Sequence, residues 1–360
     1  MSPAVHLHIG EPKTGTTYIQ AMLFHHREQL LAAGLLVPGR NLDHIRAGHD
    51  ILGRARTAGT HSTEGAWDEL AAEIVGYRGS HAVVSMEMLT RARPGQIERA
   101  VDAFGADADV HVVITARELS RLAPARWQES VQFRKSWSLD DYLSDVLVGG
   151  RDLRASNASR HFWGLHDTPA TVRKWTKSLG LDRIRVVTLP PRGAPPDELW
   201  VRFGRAVGVD LSGYEPVEQA NASLGAASAE LMRRVNEALA KTDLGDADHA
   251  RICRKFLGKT VLPLRKGSEP PIVMPARFME ASRAHSEALV AELKDLGVSV
   301  VGDLEDLLPS DDLGADTELP AEDLVAAAAV EAMAALIEQN AQLLRSARRK
   351  GKDLPFAEVE

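Results

Sequence analysis

Val5-His6-Leu7-His8-Ile9-Gly10-Glu11-Pro12-Lys13-Thr14-Gly15-Thr16-Thr17 decides how the whole chain is read. Residues 5–9 form a short, largely apolar run and read as a buried first strand. Residues 10–15 break that pattern. Thr16 then opens a helical stretch to about residue 33, with Ile19, Met22, Leu23, Leu30 and Leu31 as its apolar face. A tight strand-to-helix turn gathers backbone N–H groups and the positive end of the helix dipole, which suits an anion. Gly15 lets the backbone approach that anion closely. Thr14, Thr16 and Thr17 add hydroxyl donors, and Lys13 adds a mobile positive charge. The loop suits a bound phosphate.

It is not the loop of a magnesium-dependent NTPase. That motif needs a lysine after its last glycine, followed by serine or threonine. Here Lys13 precedes Gly15, and Thr16 follows it. Such an enzyme also needs a magnesium carboxylate on a nearby strand. Residues 110–115 offer none, although Asp107 and Asp109 precede them. Helix capping would explain Thr16 but not the full Pro12-Lys13-Thr14-Gly15-Thr16-Thr17 combination.

Outward from this loop, strands and helices alternate. Gly34 suits the end of the first helix. Residues 35–37 read as a short strand, and the polar, His-rich residues 40–61 as a loop over one face. Residues 67–77 read as a helix and 82–86 as a strand. Residues 94–104 are helical, with Pro94 near the start, and 110–115 form another strand. Residues 118–133 are helical, with a break or fresh start expected at Pro124. Ser138 reads as the N-cap of a helix over 139–148. Residues 184–189 form a late strand closed by Pro190-Pro191. This alternation predicts an α/β fold: a three-layer parallel sheet with helices on both faces, binding ligands at the carboxyl ends of its strands.

Beyond about residue 221 the pattern is mainly helical, at 228–240 and 279–296, with a possible extra strand at 298–301. Asn221-Ala222-Ser223 reads as a polar turn capping a helix. Residues 295–344 contain no Lys or Arg. An acidic linker at 309–323 leads into an Ala-rich helix, and Arg345, Arg348, Arg349, Lys350 and Lys352 end it. The expected division is a main domain at 1–308 (core 1–220, helical completion 221–308), the linker at 309–323, and a terminal helix with basic tail at 324–360. The linker reads as solvated and the helix as docked.

The composition is that of a globular protein: 360 residues, 44% hydrophobic and 26% charged. A formal net charge of -7 argues against a nucleic-acid partner, whose phosphates need a basic face. One cysteine, Cys253, excludes an intrachain disulfide and reads as packing. The first eight residues lack the features of a signal peptide, and no uncharged apolar run reaches 18 residues, so no membrane span is expected. The cytoplasm is the expected compartment.

The run Pro12-Lys13-Thr14-Gly15-Thr16-Thr17, directly after an apolar strand, resembles the 5′-phosphosulfate loop of PAPS-dependent sulfotransferases, including bacterial ones of actinobacterial type. The resemblance implies a P-loop nucleotide-kinase-like sulfotransferase fold, PAPS as donor and no metal. It also implies that Lys13 stabilises the leaving phosphate while the threonines and loop amides hold the 5′-phosphate. A second motif of that family is a strand followed by an arginine and, eight residues on, a serine, together binding the 3′-phosphate. Residues 111–116 and Arg117 match its first part. The residue eight further on is Ala125, and Ser120 is the nearest substitute. The next stretch, with Trp127, Gln128 and Glu129, resembles acceptor-side sequence of related enzymes. A third motif, a late Arg-Lys-Gly loop, is matched literally by Arg265-Lys266-Gly267, which also reads as a solvated basic loop.

Glu87, just past the strand at 82–86, resembles the catalytic glutamate of the carbohydrate branch and is the candidate general base. His161 and His166 are the runners-up, and His8 lines the pocket or sits in the core. The expected reaction moves a sulfuryl group from PAPS to a hydroxyl or amine of a small-molecule or glycan acceptor (a carbohydrate, lipid or natural product), releasing PAP. Two other classes compete: a P-loop-type kinase or NTPase, and a non-catalytic nucleotide-binding or scaffold protein. Neither the acceptor nor the oligomeric state is readable from sequence.

Overall fold

The computed structural model describes residues 2–54, 62–152, 154–217, 223–265, 267–310 and 320–349. The chain forms two compact units. The first comprises residues 1–123, 143–219 and 277–313, and the second 124–142, 220–276 and 314–360.

The first unit is built on six strands: β1 (Ala4–His8), β2 (Leu35–Leu36), β3 (His81–Ser85), β4 (Val110–Ala116), β5 (Ile184–Thr188) and β6 (Ser299–Val301). They lie in the order β2-β3-β1-β4-β5-β6, and every neighbouring pair is parallel. Parallel sheets are covered on both faces, which explains strands with almost no polar alternation. Val5, Leu7 and Ile9 of the first strand segment pack to one face with Val84, Val112 and Val186. There they meet α3 (Asn41–Ile51), α4 (Ala66–Gly76), α5 (Pro94–Asp102), α9 (Thr168–Leu179) and α13 (Met279–Leu296). Val83, Val113 and Val187 point the other way, onto α1 (Thr16–His25), α2 (Arg27–Ala32) and α10 (Glu198–Val207). Trp67 and Trp175 fill the first core, and Trp200 and Phe203 the second. The α/β three-layer expectation holds.

Two local expectations fail. Residues 41–51 are not a loop but the helix α3, opened by the Asp43 carboxylate accepting from the Arg40 N–H at 2.9 Å. Its buried face is His44, Ala47, Gly48 and Ile51, a set with little apolar signal. A Cβ at Gly48 would lie 2.0 Å from the Met86 sulfur, so this helix packs by having no side chain there. Pro124 does not break its helix either. α6 (Leu119–Gln132) runs straight through it, forgoing one backbone hydrogen bond. The boundary between the two units falls at that proline.

α7 (Leu139–Leu143) continues into a π-helical turn, Ser144–Val148, and α8 (Asn157–His166) follows. The second unit holds α11 (Ala226–Leu239), α12 (Asp246–His249), a π-helical stretch Ala250–Val261 and α14 (Glu322–Arg349). Buried Asn236 organises it, donating to the carbonyls of Val131 and Lys135 and bonding the ring of His249 at 2.8 Å. Gln128 donates to the Leu224 carbonyl, Trp127 to the Trp137 carbonyl, and Glu129 pairs with Arg126. The stretch expected to face an acceptor therefore spends these side chains within its own unit. Arg265 is no solvated loop residue: it is buried and paired with Glu269 and Glu331. Lys266, Asn221, Ala222 and most of the acidic linker and basic tail lie outside the described residues. α14 meets the length and composition of a membrane-crossing helix, although none was expected. Its buried residues Val325, Ala328 and Ala332 form one face.

Candidate active site

The strand order switches direction at β1, and the carboxyl ends of β1, β3 and β4 are the expected binding edge. The register sets the end of β1 against the end of β3, His8 beside Ser85, while β4 runs three residues past Val113, its partner for His8. The loop after β1 is tightly wound. Gly10, Lys13 and Gly15 have φ of +44°, +68° and +84°. A Cβ at Gly15 would lie 2.4 Å from Leu199 Cδ2, so both conformation and space demand glycine. Lys13 has no such exemption and is held in a conformation that costs a non-glycine residue about 1 kcal/mol or more.

Three sets of bonds fix the loop. Thr14 is fully buried; its hydroxyl donates to the Glu11 carbonyl at 2.5 Å and lies 2.6 Å from the Thr115 hydroxyl. Thr115 and Ser85 flank His8, whose Nδ1 is 2.7 Å from the Ser85 hydroxyl. The Glu11 carboxyl reaches back to the start of α9, accepting from the Thr168 hydroxyl at 2.7 Å, with His166 Nδ1 3.4 Å away. Burial pushes the Glu11 carboxyl well above the usual range; Asp167 adds to the rise and Thr168 opposes it. Burial alone pulls His8 down to about 3, so it is a neutral core histidine. His166 is equally buried and faces Glu11.

Thr90 ties the loop to the next strand. It sits in the 3-10 turn Glu87–Arg91, and its hydroxyl lies 2.8 Å from the carbonyls of Ile9 and Glu87 and 3.2 Å from that of Gly10. Lys174 of α9 donates to the Thr90 carbonyl, and burial lowers its ammonium to about 8.

Glu87 opens this turn, half-buried, and its carboxylate accepts from the Thr16 hydroxyl at 2.6 Å. The N-cap of α1 is Gly15, with no side-chain cap. Thr16 is thus committed to Glu87 rather than to capping. The first turn of α1 carries no acidic residue, and its leading N–H groups have no partners within the helix. Thr17 is exposed at this end and Pro12 is buried.

Arg117 follows β4 directly. Its Nη1 donates to the Lys13 carbonyl at 3.0 Å, and its Nε is buried with no hydrogen-bond partner. Burial lowers the guanidinium to about 10; Arg121 and Arg192 push the same way, and Glu118 opposes them. Glu118 also holds Arg121 Nε at 3.3 Å and accepts from the Ser120 hydroxyl at 3.0 Å. Ser120 is therefore buried and turned towards Glu118. Glu118 ion-pairs with Arg121, while Arg121 and Arg192 add positive charge beside Arg117, a balance that favours an anion.

The structure thus brings together Lys13, Thr16, Glu87 and Arg117. Thr14 is turned inward. No family model matches the chain, and no curated protein matches it. Among solved structures, a sulfotransferase from Alicyclobacillus acidocaldarius aligns with a TM-score of 0.38 and 17% identity, over 68% of this chain and 98% of that one.

Sequence reasoning passed over Arg121, Arg192, Thr90 and Lys174. Arg121 had a signal, since it is a second arginine four residues after Arg117 in the same strand-to-helix junction. Arg192 follows a strand at the binding edge. Thr90 and Lys174 act through backbone carbonyls, which no side-chain pattern announces.

Proposed function

We propose that the chain is a sulfotransferase that moves a sulfuryl group from PAPS to a hydroxyl or amine. The observation that carries this reading is the joining of Lys13 and Arg117 at one strand edge, through the 3.0 Å bond to the Lys13 carbonyl. A donor with phosphate groups at both 5′ and 3′ positions would engage the two cations together. The loop amides and Lys13 would hold the 5′-phosphosulfate. Arg117, with Arg121 and Arg192 beside it, would take the 3′-phosphate, and the unsatisfied Nε is one donor for it.

In this scheme Glu87 takes the proton from the acceptor O–H or N–H. The freed lone pair forms the new bond to sulfur as the bond from sulfur to the bridging phosphate oxygen breaks. PAP leaves with that electron pair, and the ammonium of Lys13 balances the charge it gains. Thr16 keeps the Glu87 carboxylate beside the loop. The acceptor class remains a small molecule or glycan with such a group.

PAP release from PAPS, measured across a panel of sugar, phenol and amine acceptors, tests the reading. Glu87→Gln should abolish acceptor-dependent release and leave PAP binding intact. Release unchanged in that variant would remove Glu87 as the base. Magnesium-dependent ATP turnover in place of PAPS turnover would favour a kinase instead.

A further inference from the structure

α14 leaves one of its faces uncovered. Val325, Ala328 and Ala332 are buried, and Glu322 and Glu331 pair with Arg234 and Arg265. Away from these, Val330, Met333 and Ile337 stand 68%, 62% and 65% exposed. Ala326 and Asn340 are exposed as well, and Leu344 is half-buried. Positions 326, 330, 333, 337, 340 and 344 alternate steps of four and three, the heptad period of a helix-to-helix seam. Ala327, Ala334 and Ala341 recur every seven residues beside it and leave room for close approach. A sustained seam differs from the scattered apolar residues of an ordinary surface.

The charge pattern names the occupant. Glu322 and Glu331 are already paired with Arg234 and Arg265, which leaves Asp323 and Glu338 as the acidic charges of the earlier part, and the cations begin only at Arg345. A parallel copy would stack like charges at both ends. An antiparallel copy sets the acidic start beside the basic end and opposes the two helix dipoles. A lipid surface favours cations along the length of the polar face, whereas here they are confined to the last turns.

We propose that α14 is the seam of a homodimer whose two copies pair antiparallel, with Met333 beside the partner's Ile337. Val330 then faces the partner's Asn340, and Ala326 the partner's Leu344, so the polar residue lies off-centre, nearer water. This pairing is independent of the proposed chemistry.

Sedimentation of the full chain at high micromolar concentration should give twice the 39.1 kDa chain mass. Ile337→Glu should return it to one chain mass, with the circular dichroism spectrum unchanged. Mixed Met333→Cys and Ile337→Cys chains should cross-link more than either alone; native Cys253 is buried. A single-chain mass for the unaltered protein, with or without pelleting on phosphatidylserine vesicles, overturns the proposal. So does a dimer that survives Ile337→Glu, or cross-linking dominated by Ile337→Cys alone.

Discussion

Lys13 holds a left-handed backbone conformation that a glycine would adopt without cost, and Arg117 braces it through the Lys13 carbonyl. Arg134 has the same positive φ, so the strain by itself assigns Lys13 no role, but it is a cost that the rest of the loop carries. Lys13→Gly should therefore raise stability by about 0.5–1 kcal/mol while the proposed sulfuryl transfer collapses. Paired chemical denaturation and PAP-release assays check this; a destabilised Lys13→Gly would contradict the strain argument. Gly15→Ala should instead lower stability. The added methyl meets Leu199 at 2.4 Å in a backbone region that disfavours it. A loss of more than about 1 kcal/mol is expected, along with weaker PAP binding. The sequence made the loop itself legible, because its glycines and lysine are local. The hydroxyls were harder to read. Thr14 and Thr16 turn out to bond Thr115 and Glu87, partners about a hundred and about seventy residues away. A single sequence carries no sign of such pairings.

At the level of elements, Thr90 joins the ends of β1 and β3 by bonding the carbonyls of Ile9, Gly10 and Glu87. It positions the loop after β1 and Glu87, the proposed base, relative to each other. Thr90→Val should lower kcat about tenfold, roughly 1.4 kcal/mol, with a smaller change in KM for the donor. Thr90→Ser keeps the hydroxyl and should restore the rate. Equal effects of both substitutions would make Thr90 a packing residue only. Strands and several helices were well read, because apolar runs and 3.6-residue periods carry them: 279–296 matches α13 end to end, whereas α8 and α10 were passed over. α3 escaped because close packing at Gly48 and a buried histidine replace the usual apolar stripe. Pro124 misled because its cost is one hydrogen bond, and the rest of α6 outweighs it.

Across the whole molecule, the sheet buries imidazoles as well as valines. His6 and His8 on β1 are both lowered to about 3: burial dominates, and for His6 the neighbours His111 and His81 add to the fall. Each is neutral in the folded chain and takes a proton in the unfolded one below its ordinary value of 6.5. Their contribution is complete above that value and is lost as pH falls towards 3. The slope approaches about 1 kcal/mol per pH unit for each histidine. Urea midpoints should therefore drop between pH 7 and pH 5, and His6→Gln should flatten the drop. A midpoint independent of pH over that interval would show that these rings are not held neutral.

The central claim is that one strand edge binds a nucleotide through phosphate groups at both ends of its ribose. Calorimetric titration with PAP, against ATP and ADP, tests it most directly. Micromolar PAP binding, about -8 kcal/mol, is expected without magnesium. ATP should bind far more weakly, and Arg117→Ala should erase the preference. Absent PAP binding, or a magnesium-dependent preference for ATP, would contradict it.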